Sequence, residues 1–161
     1  MTTAAATLPP HRLRLALVYP QIAPNTGNIA RLCVATGTEL HLVRPLGFLL
    51  TDAKLKRSAM DYWPRLKLTM HDDLTAFEQA LCDAGSRLWL CENGHGQSIW
   101  ETPFSDGDTL VLGSEGPGLP RALIARHPQQ LVQIPQARDE RCLNVSTAAG
   151  IVLFEALRRL Q

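Results

Sequence analysis

The sequence holds only four cysteines, Cys33, Cys82, Cys91 and Cys142, and no CxxC pair. That leaves neither a disulfide framework nor a zinc-ribbon pattern to organise the chain. The five histidines never stand three or four residues apart, so no helix carries a paired-histidine metal site, and no metal is expected. Charge of one sign is also missing, since 16 basic against 15 acidic side chains leave a net +1. A nucleic-acid partner must then be held by a local basic patch, because no global field draws it in. The longest apolar run, Ala148 to Phe154 with Gly150 inside it, is far too short to span a bilayer. The first residues lack a basic stretch followed by an apolar core, which predicts a cytoplasmic protein.

What is present points to a packed domain. Apolar residues at 45% exclude intrinsic disorder, and charged residues at 19%, below the usual ~25%, leave surface for another subunit to cover. The 161 residues are read as a single domain over 1–161, with 1–12 as a flexible N-terminal extension. Leu13, Leu15 and Leu17 alternate into Val18 and Tyr19, a first strand ended by Pro20. Asn25 or Thr26 is placed to cap a helix whose Ile29, Leu32 and Cys33 share a face, with Gly37 as its stop. Further strands are read at Glu39–Arg44, Leu66–Met70, Arg87–Cys91, Thr109–Gly113 and Leu131–Pro135. Helices are read after Lys54, after an Asp72 cap, from Pro120, and from Asn144 to Leu160. Six strands alternating with helices predict an α/β fold with a mostly parallel, doubly wound sheet.

Ligands of such sheets bind beyond the carboxyl ends of the strands, so the loops at Pro20–Arg31, Gly113–Pro120 and Pro135–Ser146 are the candidates. None carries GxGxxG, GxxxxGK[ST] or GxSxG, which excludes the common dinucleotide, P-loop and hydrolase sites. The same loops read Pro24-Asn25-Thr26-Gly27-Asn28-Ile29-Ala30-Arg31, then Leu112-Gly113-Ser114-Glu115-Gly116-Pro117-Gly118-Leu119-Pro120, then Ile134-Pro135 and Cys142-Leu143-Asn144-Val145-Ser146. In these motifs, with Lys54-Leu55-Lys56-Arg57 and Asp61-Tyr62 between them, the chain resembles the SPOUT superfamily of S-adenosylmethionine-dependent RNA methyltransferases. Within it, the chain is similar to the small branch that 2′-O-methylates the wobble cytidine or uridine of tRNA. The resemblance runs from about Leu13 to Leu160. It implies a C-terminal trefoil knot, a homodimer and a bent S-adenosylmethionine held by the loops after Cys91, Gly113 and Pro135.

The resemblance also implies roles. Cofactor contacts fall at Cys91, Gly113, Ile134, Cys142 and Leu143, and Gly113 suits close backbone approach to a ligand. Arg31, Glu115 and Asn144 are the catalytic candidates, with Glu115 placed to orient Arg31 or the RNA. A guanidinium hardly deprotonates, so Arg31 is better suited to gripping a phosphate or stabilising a developing alkoxide. RNA contacts are assigned to Asn25, Lys54, Arg57, Arg138, Arg141 and Ser146, with Lys56 beside them. Asn25, Asn144 and Ser146 also suit helix capping, and the basic residues also suit a solvated surface. Many relatives carry Ser where Cys142 stands. Two other readings stay open: the same chemistry on another tRNA or rRNA nucleotide, and a non-catalytic RNA-binding module.

Overall fold

Strand residues point alternately to opposite faces, and here both faces of the sheet are covered, so the strands are apolar almost throughout. The structure is a computed structural model that describes residues 7–51 and 53–161; residues 1–6 of the expected extension and the side chain of Lys56 lie outside it. The elements are β1 (Arg14–Val18), α1 (Ala23–Thr36), β2 (Glu39–Val43), α2 (Ala53–Ala59), β3 (Leu68–His71), α3 (Leu74–Asp83), β4 (Leu88–Cys91), β5 (Gln97–Ser98), β6 (Thr109–Leu112), α4 (Arg121–Arg126), β7 (Leu131–Gln133) and α5 (Val145–Arg159). A 3-10 segment, Met60–Arg65, continues α2. Among the described residues the seven strands form one sheet in the order β3-β2-β1-β6-β4-β7-β5, with parallel pairing between neighbours.

The alternation along β1 divides the core. Leu15 and Leu17 pack with Ile29 and Cys33 of α1 and with Val152 and Leu153 of α5. Ala16 and Val18 pack on the other side with Phe77 and Leu81 of α3 and Leu123 of α4. Ahead of β1, His11 Nε2 lies 2.8 Å from the Thr36 carbonyl, and Arg12 pairs with Asp106 at 2.9 Å.

Several boundaries differ from the sequence expectation. The first helix begins at Ala23 with Ile22 at its cap position and Pro24 in its first turn, so Asn25 lies inside the helix and caps nothing. Proline suits that turn because its missing N–H would be unpaired there anyway. The third helix is capped by Asp73, whose Oδ1 accepts from the Ala76 N–H at 2.8 Å, while Asp72 pairs with Arg44 at 2.7 Å. A seventh strand, β5, is only two residues long.

That short strand marks the least ordinary feature of the topology. On one side of β7, Cys91 of β4 pairs with Val132; on the other, Gln97 of β5 pairs with the same Val132. The chain between them, residues 92–96, therefore passes across a face of β7. At the crossing, Gly96 lies so close to Leu131 that a Cβ would overlap the Leu131 carbonyl. Only glycine fits there, and its φ of +88° is one that other residues rarely adopt.

Candidate active site

The loops that leave β4, β6 and β7 converge with the start of α1 and α5 around one cavity of about 350 Å³. Cys91, Gly113, Ile134, Cys142 and Leu143 all line it, as do Asn25, Glu115 and Asn144. Its volume is within the range of small-molecule and cofactor sites. Ile99, Leu112, Val132 and Ala148 give it further apolar walls, while Glu92, Asn93 and Gln136 add polar groups. Among the described residues no Lys, Arg or His lines it, and the charged groups there are Glu92 and Glu115.

Gly113 is where β6 hands over to the motif loop, and the loop returns directly onto it. Ser114 and Gly118 exchange backbone hydrogen bonds of 3.1 and 2.9 Å. A Cβ on Gly113 would overlap the Gly118 and Leu119 backbone, so glycine is needed for this closure. Burial pushes the Cys91 thiol up to about 12, and the Glu92 carboxylate beside it acts in the same direction. Cys91 thus meets the cavity as a neutral thiol. All four cysteines are free thiols.

One hydrogen-bond chain ties the three sequence motifs together. Glu115 Oε2 accepts from the Gln21 N–H at 2.8 Å, and Glu115 Oε1 accepts from Asn25 Nδ2 at 3.0 Å. Asn25 Oδ1 accepts from Asn144 Nδ2 at 3.1 Å. Asn144 Oδ1 accepts from the Ser146 N–H at 2.9 Å and from Ser146 Oγ at 2.6 Å. Asn144 is thus both the cap of α5 and a member of the site. Asn25, 8% exposed, is the buried middle of the chain. Because Asn25 is a helix-interior residue, its amide is free of the capping role and holds a carboxylate and an amide apart.

Arg31 is not brought to this cavity. It is exposed on α1 and lines a separate cavity with Asn28, Leu32, Ala35 and Tyr62. Glu115 therefore does not orient Arg31 within one chain; its carboxylate is taken up by Gln21 and Asn25. Lys54 and Arg57 are exposed on α2, Arg138 and Arg141 are exposed between β7 and α5, and Ser146 is half-buried. Sequence reasoning passed over Glu92, which lines the cavity and accepts from the Leu119 N–H at 3.1 Å. Its position directly after the last residue of β4 was the available signal, since strand carboxyl ends are where ligands bind. It also passed over Arg65, which stacks on Tyr62.

Known proteins similar to this chain cover nearly all of it. A protein of Burkholderia cenocepacia, named a tRNA (cytidine(34)-2′-O)-methyltransferase, is 41% identical over 144 residues, 89% of this chain and 92% of the relative. A structure solved for the 2-OH methylation of C/U34 on tRNA superposes with a TM-score of 0.89 at 42% identity, covering 94% of this chain and 97% of the other. An AdoMet-bound rRNA methyltransferase from Sinorhizobium meliloti superposes with a TM-score of 0.85 at 25% identity, covering 97% of this chain and 59% of that one. The motif that runs through α1, the Gly113 loop and the start of α5 all fall within residues 12–154, which match the SpoU rRNA Methylase family, and the chain belongs to that family.

Proposed function

We infer that this chain is an S-adenosylmethionine-dependent RNA 2′-O-methyltransferase whose substrate is the wobble cytidine or uridine of tRNA. The observation that carries this is the meeting of all three motif loops in one cavity lined by two carboxylates and, among the described residues, no cation. Such a lining suits a cationic donor, and the apolar walls from Ile99, Leu112, Val132, Ile134 and Leu143 suit a flat, uncharged adenine. Bound there, S-adenosylmethionine supplies an electrophilic methyl group on a sulfonium. Cys91, Gly113, Ile134, Cys142 and Leu143 hold it. A thiol at Cys142 is a poorer hydrogen-bond donor than the serine of many relatives, so backbone atoms carry the contact at that position.

The chain's own part in the reaction is positioning and charge. The Glu115–Asn25–Asn144 chain fixes the mouth of the cavity, where the ribose hydroxyl must lie in line behind the methyl carbon. Positioning of this kind supplies up to about 7–11 kcal/mol in favourable reactions. Arg31 supplies the positive charge the cavity lacks, gripping the adjacent phosphate or stabilising the alkoxide as the C–O bond forms. Because Arg31 faces away from its own chain's cavity, a homodimer in which one protomer lends Arg31 to its partner's cavity is the arrangement that unites these groups. The outer side of α5 offers a face for a second copy: Ile151 and Phe154 are exposed beside Trp100, itself 63% exposed. The passage of residues 92–96 across β7 supports the trefoil knot. No helix among the described residues is long and apolar enough to cross a membrane, and tRNA as substrate fits a cytoplasmic location.

The test is nucleoside mass spectrometry of unmodified tRNA incubated with the protein and S-adenosylmethionine. The expected result is 2′-O-methylcytidine or 2′-O-methyluridine mapped to the wobble position. A product at another nucleotide overturns the target and keeps the chemistry; no product despite cofactor binding points to a ribosomal or pre-modified substrate, and neither product nor cofactor binding leaves the RNA-binding module as the better account. Arg31→Ala and Asn144→Ala proteins, each inactive, should regain roughly a quarter of the wild-type sites when refolded together, as random pairing in a two-fold dimer requires. No recovery would rule out a site shared between protomers.

A further inference from the structure

The second cavity, about 310 Å³, lies between α1 and the 3-10 segment and is lined by Asn28, Arg31, Leu32, Ala35 and Tyr62. Its tyrosine receives two guanidiniums: Arg31 Cζ is 5.3 Å from the ring centroid and Arg65 Cζ is 4.9 Å from it. Both distances are within the reach of a cation–π contact. Carboxylates are scarce here. Among the described residues Arg31 forms no ion pair, and Arg65 meets only Asp61, at 3.7 Å and with its side chain 80% exposed. Two like charges gathered on one ring repel each other, and among the described residues only the exposed Asp61 offsets them, from the Arg65 side.

The choice of an aromatic anchor has a consequence. A carboxylate in place of Tyr62 would hold Arg31 more tightly but would cancel the charge that Arg31 carries. A ring quadrupole orients a guanidinium and leaves its N–H donors and its charge available for another anion. We propose that Tyr62 is the shared platform of a two-guanidinium clamp, Arg31 with Arg65, that binds one phosphodiester of the RNA substrate at the mouth of this cavity. A phosphate fits better than a nucleobase, because the ring is already engaged by both arginines and because guanidiniums pair with phosphate oxygens in bidentate fashion. The proposal rests on the RNA methyltransferase reading and adds Tyr62 as a positioning residue and Arg65 as a phosphate ligand.

The experiment measures binding of an unmodified tRNA anticodon stem-loop to the full-length protein across a salt series, together with steady-state methylation kinetics. Arg65→Ala is expected to raise Kd and KM for the RNA about tenfold, leave kcat within about twofold, and reduce the log–log salt slope by part of the roughly 0.7–0.9 that a whole phosphate contact carries, because Arg31 still meets that phosphate. Tyr62→Leu should weaken RNA binding similarly and also lower kcat, since Arg31 loses its anchor. Tyr62→Phe, which keeps the ring, should restore both to within about twofold of wild type. S-adenosylmethionine affinity should be unchanged in all three, which shows that the fold and the first cavity are intact. If Tyr62→Phe is as damaging as Tyr62→Leu, the hydroxyl and not the ring is what matters, and the clamp is wrong. An unaltered salt slope in Arg65→Ala also overturns it. A wild-type protein that methylates no RNA sinks the enzymatic reading, whereas an active wild type with indifferent variants sinks the clamp alone.

Discussion

The two cavities of this chain are similar in volume, about 350 and 310 Å³, and opposite in charge. The first is built by loops at the carboxyl ends of β4, β6 and β7, carries Glu92 and Glu115, and among the described residues has no cation in its lining. The second lies on helical surface and carries Arg31, with Arg65 on the same tyrosine ring. Had Arg31 sat against Glu115, an ion pair would have silenced both groups. Kept apart, one field suits a cationic methyl donor and the other suits a polyanionic acceptor. Under the proposed function, in which Arg31 acts on the substrate, this separation is the reason a second copy of the chain is needed to complete the site.

The strongest way to break the comparison is to destroy one cavity through its backbone. Gly113→Ala places a Cβ into the Gly118–Leu119 backbone, where no flexible side chain can yield. The expected cost is about 3 kcal/mol in chemical denaturation, with S-adenosylmethionine binding lost in calorimetry. Unchanged binding would mean that the Gly113 closure is not what shapes the cavity. The second cavity is walled by side chains of α1 and the 3-10 segment, so its residues tolerate substitution far better.

Next in size is the buried amide that joins the motifs. Asn25→Ala removes the partner of both Glu115 Oε1 and Asn144 Nδ2, which should cost about 1–3 kcal/mol and lower turnover at least tenfold. Asn25→Asp sharpens the point. It would set a carboxylate against Glu115 in place of an N–H donor, so it should destabilise more than Asn25→Ala does. Asn28→Ala, at an exposed position on the same helix, should change stability by less than about 0.5 kcal/mol. Equal effects of the two substitutions would show that the hydrogen-bond chain does not support the site.

Much of this was legible in the sequence, and the gaps have physical causes. Period-two leucines announce β1, Gly37 announces the end of α1, and Asn144 announces the start of α5; the structure places all three there. The short β5 was missed because two residues carry no period to detect. The insertion of β7 between β4 and β5 depends on long-range pairing that local pattern does not encode. The separation of Arg31 from Asn25 was readable. Six residues along a helix turn a side chain about 120° away from the starting face. Reading Asn25 as a cap hid that signal, because it placed Asn25 outside the helix.

A third prediction concerns an interior that belongs to neither cavity. His41 Nδ1 and His71 Nε2 lie 2.8 Å apart beneath Phe77, and His41 Nε2 is 3.2 Å from Glu39 Oε1 without hydrogen-bonding geometry, while that oxygen accepts from Thr69 Oγ1 at 2.7 Å. Burial lowers the His41 pKa to about 4 and lowers that of His71 as well, against the opposing pull of Glu39; Arg14 adds to the lowering at His41, and Asp72 opposes it at His71. The unfolded chain therefore binds more protons than the folded one below the ordinary histidine value of about 6.5. Stability from the neutral pair is complete above that pH and declines as pH falls toward 4. Thermal unfolding across pH 4–8 should show this slope, and His41→Gln should flatten it. A flat wild-type profile would contradict the buried neutral pair. Cofactor binding at pH 7–8 should not notice the substitution.

The smallest effect is expected where the charge separation is least clean. Arg138 and Arg141 are exposed on the loop that ends in Cys142, Leu143 and Asn144, so they stand beside the acidic cavity. Between them lie Asp139 and Glu140, also exposed, and the four residues sum to zero formal charge. Their net field is weak, in contrast to Arg31 and Arg65 on the carboxylate-poor side. Arg138→Ala or Arg141→Ala should therefore weaken RNA binding by no more than about threefold, with a smaller change in salt slope than Arg65→Ala produces. Replacing Asp139 and Glu140 by Asn and Gln should strengthen RNA binding by a similar factor, because the two arginines then act unopposed. If the single arginine variants instead outweigh Arg65→Ala in a salt series, RNA grip belongs to the rim of the first cavity, and the division of labour between the two cavities fails.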